Sequence, residues 1–363
     1  MKIVLGVCGF GLGHSVRQRP ILEGLLARGH DVVLVTNDQS YDFFTRHFPH
    51  VRNMRVYVPV IHTTPHGLDF GATANDPRNA QPEAHRAFWN ACGEIERRFG
   101  APDLVISDYD MVSAQIAYLF GVPLVTLDQQ SKLLGYECPT IDAFTSDEHR
   151  MRLGYFFPKA AARFATSFFT LDYALVDEYP VTIIPPILGR DVKDQLAAPV
   201  DRYVTVYLSA ASHIEQSPDE LFALFGQFTD HRFVCFVDAE ATHIPDNVTL
   251  KPNSRADFLD CLRQSAAVIS TAGHNLITEA LYLNVPMFLL PFHHYEQQLN
   301  ARIVTDTGLG CSASTLTTAN LRAFFDNLDV YRQRRRESAG TYDRFDGDTV
   351  FLDMVESLLS ERG

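Results

Sequence analysis

His14 stands in the stretch GFGLGHSV (9–16), just beyond the apolar run KIVLGVC (2–8). Glycines 9, 11 and 13 frame it, permitting positive φ angles and the close approach of another molecule. An imidazole on such a ledge, where a buried strand hands over to a helix, can exchange a proton near neutral pH. Asp108 ends a second apolar run, DLVISD (103–108). Ligands of open parallel sheets bind beyond the carboxyl ends of the strands, so Asp108 and His14 should emerge at one edge. A carboxylate on the far ring nitrogen would fix the tautomer and raise the basicity of the near one. Asp110 and Asp128 occupy comparable positions and compete for that role. Asp108 also has an ordinary use, as N-cap of a helix beginning near Met111.

A second constellation lies in STAGHNLITEALYLNVPMFLLPFHHYEQQLNA (270–301). A strand ends at Thr271 and a helix starts near Gly273, whose free amides and positive dipole end suit a diphosphate. Glu279, about one and a half turns into that helix, can accept both hydroxyls of a ribose. The next strand ends at Pro291, and HHYEQ opens another helix that brings Glu296 and Gln297 to the mouth of the same site. His293 and His294 beside Glu296 invite a metal, but adjacent residues need not point to one centre, and no metal is expected. GFGLGH is also a damaged dinucleotide fingerprint. His14 takes the place of its last glycine, and Asp31 begins the second strand where the motif wants an acid at the strand's end, which argues against NAD.

The elements that must carry these residues alternate in a regular way. DVVLVT (31–36), RVYVPV (55–60), DLVISD and PLVTLD (123–128) read as further strands, with helices at 17–30 and after Asp110. The first helix is expected to begin near Ser15. Continuous apolar strands separated by helices indicate a parallel sheet covered on both faces. The segment 61–85 is polar and long for a connection, hence functional or mobile. The rhythm restarts after the two prolines of TIIPPILGRDV (182–192), with strands at 203–210, 232–238, 248–252, 266–271 and 286–291. The reading is an α/β chain of two domains, 1–188 and 189–345, followed by a C-terminal helix, 346–363, that could pack back on the first.

A chain of 363 residues with net charge −13 fits two ordinary domains and argues against a nucleic-acid partner. The basic run RQRRR (332–336) reads as a solvated helix face. No apolar run reaches the length needed to span a bilayer, and the N-terminus lacks the longer apolar core of a signal peptide. The six cysteines, at 8, 92, 138, 235, 261 and 311, show no metal-type spacing and read as reduced thiols of a cytoplasmic protein.

The C-terminal stretch resembles the donor-binding signature of GT-B nucleotide-sugar glycosyltransferases. These include plant and bacterial small-molecule glycosyltransferases and the cell-wall N-acetylglucosaminyltransferase that makes lipid II. Gly273, Asn275, Glu279, Pro286, Pro291, Glu296, Gln297, Asn300 and Ala301 match without a gap. GLGHSVRQRPILEGLLARGHDV and PDLVISDYDMVSAQIAYLFGVP resemble the acceptor-domain opening and the Asp-bearing strand of that superfamily. Segments 61–100 and 129–180 carry no such match. Thr271 stands where the family has a phosphate-binding His, and His274 is the available substitute. LKPN (250–253) replaces the plant-type Trp-x-Pro-Gln, and SAASH (209–213) replaces a glycine-rich phosphate loop, leaving Ser209, Ser212 or His213 to donate.

The resemblance implies two doubly wound, Rossmann-like domains facing across a cleft and an inverting, metal-independent transfer from a UDP- or TDP-sugar to a small hydroxylated acceptor. His14, oriented by Asp108, would be the base, and Phe10 and Gly13 would lie on the acceptor side. Ser209, Ser212, Thr271, Gly273, His274, Asn275, Glu279, Glu296 and Gln297 would hold the donor, with no cofactor and no integral membrane association. A nucleotide-sugar hydrolase or epimerase of the same fold is the alternative, and a non-catalytic nucleotide-sugar-binding protein a second.

Overall fold

The structure, a computed structural model, describes residues 1–60, 62–64, 67–80, 82–194, 202–208, 216–236, 241–338 and 344–360. The chain divides into two compact units. One comprises Met1–Thr140, Thr145–Gly189 and Asp346–Gly363; the other comprises Ile141–Phe144 and Arg190–Phe345.

The first unit is built on a seven-stranded sheet of β1 (Lys2–Val7), β2 (Asp31–Thr36), β3 (Arg52–Arg55), β4 (Leu104–Asp108), β5 (Leu124–Asp128), β6 (Ala162–Thr166) and β7 (Thr182–Ile184). Its order is β3-β2-β1-β4-β5-β6-β7, with every pair parallel. Successive residues of one strand feed different cores, which is why the strands read as unbroken apolar runs. Ile3, Leu5 and Val7 pack with Ile21, Leu22 and Leu25 of helix α1 (Leu12–Ala27) and with Phe351, Leu352 and Val355 of the C-terminal helix Gly347–Ser360. Val4, Val33, Val35 and Val105 pack on the other side, with Ala114, Ile116 and Ala117 of helix α2 (Met111–Phe120). Arg28 pairs with Asp353 and Glu356 of the C-terminal helix.

Several boundaries differ from the sequence reading. Helix α1 begins at Leu12, not near Ser15, because Gly11 enters it at φ 79° and supplies the turn three residues earlier. Strand β3 covers residues 52–55 rather than 55–60, since β2 ends at Thr36 opposite Arg55 and offers no further ladder. Strand β6 lies in the stretch 129–180, which carried no family match, and β7 opens the proline segment 182–192, where no strand was expected. The described part of segment 61–85 is tied together: Asp76 takes His62 and Arg78, and Asn79 bonds to the backbone of Val60 and Thr73.

The second unit holds a six-stranded parallel sheet of β8 (Tyr203–Tyr207), β9 (Phe233–Phe236), β10 (Val248–Leu250), β11 (Ser265–Ser270), β12 (Met287–Leu289) and β13 (Gly310–Ser312), ordered β10-β9-β8-β11-β12-β13. Phe222, Phe225, Phe233, Phe288 and Phe324 fill the core on one face. The RQRRR run lies on a helix with no buried residue, as expected of a solvated face, and three of its arginines also reach backbone carbonyls. Arg332 donates to the Ala266 carbonyl, Arg334 to Thr307 and Arg335 to Leu281. Thr307 and Leu281 lie at helix C-termini, where orphan carbonyls and the negative dipole end attract cations. None of the six cysteines, all of them among the described residues, forms a disulfide, and burial pushes the Cys8 thiol up to about 12.

Gly6 in β1 lets the start of α2 settle on the sheet. A Cβ there would lie 2.1 Å from Ser113 Oγ and 2.2 Å from Ser113 Cβ. Gly6→Ala is therefore expected to destabilise the chain by ~1–3 kcal/mol through overpacking. Chemical denaturation checks it; an unchanged midpoint would show that α2 is free to shift.

Candidate functional site

Three residues of α1 converge on one carboxylate. Positions 14, 17 and 18 are spaced i, i+3 and i+4, hence share a helix face, and that face meets the carboxyl end of β4. His14 Nδ1 lies 2.8 Å from Asp108 Oδ1. Arg17 approaches side-on, with Nη2 2.6 Å from Oδ1 and 2.8 Å from Oδ2, and Nε 3.2 Å from Oδ2. Gln18 Nε2 donates to Oδ2 at 2.9 Å and to the Leu127 carbonyl at 3.1 Å. Asp108 is fully buried, whereas the His14 side chain keeps 13% of its surface exposed. Burial alone would raise the Asp108 carboxyl, but the charge of Arg17 and the contact with His14 reverse the sign and hold it below its ordinary value. The carboxylate is therefore ionised, saturated and fixed, with one edge of the imidazole left at the surface.

The neighbouring acids have other partners. Asp110, not Asp108, caps α2: its Oδ2 accepts from the Ser113 amide at 2.9 Å. Asp128 accepts from the Ser131 amide at 2.6 Å and the Ser131 hydroxyl at 2.8 Å. Burial pushes each of these two carboxyls up to about 6. Tyr109, immediately after Asp108, sits at φ 52°, a conformation a non-glycine residue adopts at a cost, and its ring stacks beside His14 at 6.1 Å. Phe10 is 90% exposed on the ledge before α1, and Gly13 is exposed within its first turn. The sequence reading missed Arg17 and Gln18. Their signal was present: two polar side chains on the helix stripe that has to face the sheet.

In the second unit β11 ends at Ser270, and helix α3 (His274–Leu283) starts after Gly273 without a side-chain cap. Thr271 and His274 are buried beside that start, with Gly273 and Asn275 partly exposed. Helix α4 (Tyr295–Asp306) braces this turn. Gln297 Oε1 accepts from the amides of Ala272 and Phe292, and Asn300 donates to the Ala272 carbonyl. Gln297 thus spends its carbonyl end on the backbone, leaving its amide nitrogen as the group able to meet a ligand. Glu296 is buried at the head of α4. Glu279 is 2% exposed and lies 2.7 Å from Arg255 Nη2. Arg255 also reaches Asp191 at 3.3 Å and was not singled out in the sequence, because it follows an ordinary Ser254 cap. Ser209, Ser212 and His213 lie outside the described residues.

Asp128 gives the site a pH signature. Its carboxyl is raised in the fold, so the neutral form is favoured: stability is fully present below the ordinary carboxylate value and falls as pH rises through about 6. Asp128→Asn removes that loss. It is expected to be more stable than the parent at pH 8 by ~1–3 kcal/mol and to show a shallower decline between about pH 4 and 6. Thermal denaturation across that range checks it; a variant less stable at pH 8 would mean that the Ser131 donors favour the ionised form.

The family model for glycosyl transferase family 1 matches residues 1–329. Over its full length the chain is 24% identical to an uncharacterized glycosyltransferase of Methanosarcina acetivorans, covering 97% of that protein. Among solved structures it superposes on Phytolacca americana UGT2, complexed with UDP-2fluoro-glucose and pterostilbene, with TM-score 0.70 and 15% identity over 99% of both chains. It superposes on the glycosyltransferase VinC, complexed with dTDP, with TM-score 0.64 and 16% identity over 100% of both. Two Rossmann-like parallel sheets, and a family match that runs from the first residue through both of them, establish that the chain is a GT-B glycosyltransferase and belongs to glycosyl transferase family 1.

Proposed function

We propose that this glycosyltransferase inverts the anomeric centre without a metal, moving a sugar from a nucleoside diphosphate to a hydroxyl of a small acceptor. The observation that carries the reading is the contact of His14 Nδ1 with the buried Asp108 carboxylate, which leaves Nε2 as the outward nitrogen. The acceptor hydroxyl gives its proton to Nε2 while its oxygen forms a bond to the anomeric carbon. The bond from that carbon to the diphosphate breaks on the opposite face, and the nucleoside diphosphate leaves with the electron pair.

On the donor side, the uncapped start of α3 offers amides and a dipole end to the diphosphate, with Thr271, Gly273, His274 and Asn275 around it. Fixed donors of this kind stabilise the leaving charge and can stand in for a cation. Ser209 and Ser212 are proposed as further phosphate donors. Glu279 accepts from the ribose hydroxyls while Arg255 holds one of its oxygens. Glu296 and the amide nitrogen of Gln297 meet sugar hydroxyls. UDP and dTDP are the nucleotides of the two solved structures above, and a UDP- or TDP-sugar is the proposed donor here. Phe10 and Gly13 border the acceptor. Six described cysteines without a disulfide among them support a reducing, cytoplasmic setting.

Release of nucleoside diphosphate from UDP- and TDP-sugars, measured with and without hydroxylated acceptors, tests the reaction. Release that needs no acceptor would favour a hydrolase, and tight binding without release a binding protein. EDTA should leave turnover intact. His14→Ala should lower transfer by ~100- to 10,000-fold while donor affinity, read by calorimetry, stays the same. Near-parental transfer by that variant would remove His14 as base. Glu279→Gln should weaken nucleotide binding by ~1–3 kcal/mol. Unchanged affinity in the folded variant would take Glu279 out of the ribose site.

A further inference from the structure

Arg17 is placed to decide which nitrogen His14 presents, an inference that rests on the reading of His14 as base. The Arg17 side chain is only 4% exposed. Its Nη2 lies 2.6 Å from Asp108 Oδ1 and 2.9 Å from His14 Nδ1, while Nδ1 lies 2.8 Å from Oδ1. The three atoms form a closed triangle, which admits two proton arrangements.

In one, Arg17 and His14 both donate to Oδ1, and Nε2 carries its lone pair outward. In the other, Arg17 donates to Nδ1. The ring then turns a lone pair toward an anionic oxygen 2.8 Å away, and Nε2 holds the proton and cannot act as base. Nη2 has both carboxylate oxygens in reach, and charge-assisted bonds are the stronger ones, so its hydrogens go to the carboxylate and the first arrangement prevails.

Charge points the same way. A buried carboxylate facing an imidazole with nothing else nearby would draw a proton onto the ring and keep it there as an ion pair. A guanidinium is permanently charged and cancels that pull. Gln18, bonded to Oδ2, completes the hold by preventing the carboxylate from rotating.

We propose that Arg17 is a positioning residue for His14: it neutralises Asp108 and locks Oδ1 toward Nδ1. The Nδ1 hydrogen is therefore directed to Asp108, with Nε2 turned outward to take the acceptor proton and to release it after transfer. Among the described residues, the ring meets Asp108, Arg17 and the Tyr109 ring. Asp110, Asp128 and Cys8 stand behind the carboxylate, within its field, and are unchanged in the variants below.

Nitrogen-15 NMR of histidine-labelled protein reads the ring state without any turnover, with the His14 signals identified by their loss in His14→Ala. The parent should show the neutral ring protonated at Nδ1. In Arg17→Met the imidazolium should persist to higher pH. The acidic limb of kcat/KM for transfer should move up by ~1 pH unit. The kcat at neutral pH should fall at least ~10-fold with the donor KM unchanged. Arg17→Lys, which keeps the charge but not the fork, should restore the limb and part of the rate.

Should Arg17→Met fail to fold, Arg17→Met combined with Asp108→Asn removes both charges together and should show mixed ring tautomers. Parental ring shifts and an unshifted limb in Arg17→Met overturn the proposal, as does a pure Nδ1–H ring in the double variant. If His14→Ala itself keeps transferring, it is the base reading that falls, while the ring shifts still report on the hold of Arg17.

Discussion

A carboxylate with no solvent exposure, at the end of a central strand, cannot remain ionised alone. Desolvating such a charge costs several kcal/mol unless a cation and hydrogen bonds compensate it. In this protein Arg17, Gln18 and His14 provide that compensation for Asp108, and the requirement fixes much of the first unit. It sets the rotation of α1, since only one phase of the helix brings positions 14, 17 and 18 to the same oxygens. It fits the register of β1 with β4, in which Val7 lies opposite Asp108 and the Cys8 amide donates to the Asp108 carbonyl. It also separates the three neighbouring acids by role. The one with the guanidinium is held ionised, and the other two, which have no such cation against them, are pushed toward neutrality by burial.

The second unit solves a different problem. The turn before α3 leaves the amides of the helix start without a side-chain cap, and its neighbouring backbone groups are tied down by side chains. Gln297 and Asn300 do this from α4, taking the amide and the carbonyl of Ala272. Farther from the turn, Arg334 and Arg335 close the C-terminal ends of α4 and α3. The negative end of each helix dipole is thereby met by a cation. Gln297, expected among the donor contacts, holds the turn through its carbonyl end.

How much of this the sequence discloses depends on how local each feature is. Alternating apolar strands and amphipathic helices announced both sheets, and the ends of KIVLGVC, DLVISD and AAVIST placed His14, Asp108 and Thr271 at the carboxyl edges of those sheets. The start of α1 was missed by three residues because a glycine at positive φ can open a helix where no side-chain cap is visible. The identity of the helix cap was missed in the same way: Asp108 and Asp110 look equivalent in sequence, and only backbone geometry gives Ser113 to Asp110. Ser209 and Ser212 stay as sequence-level candidates.

By itself the sequence determined the α/β class, the parallel direction of the strands and the residues that follow their carboxyl ends. These follow from chemical periodicity within a few residues of each position. Tertiary structure alone decided which acid meets His14, that Arg17 reaches Asp108 from 91 residues away, that Arg255 pairs with Glu279, and that Arg334 and Arg335 reach the C-terminal ends of two helices. Each of those partners is distant in the chain. A buried charge accepts whichever counter-charge the packing delivers, and that choice is made by helix phase and strand register, which no short stretch of sequence contains.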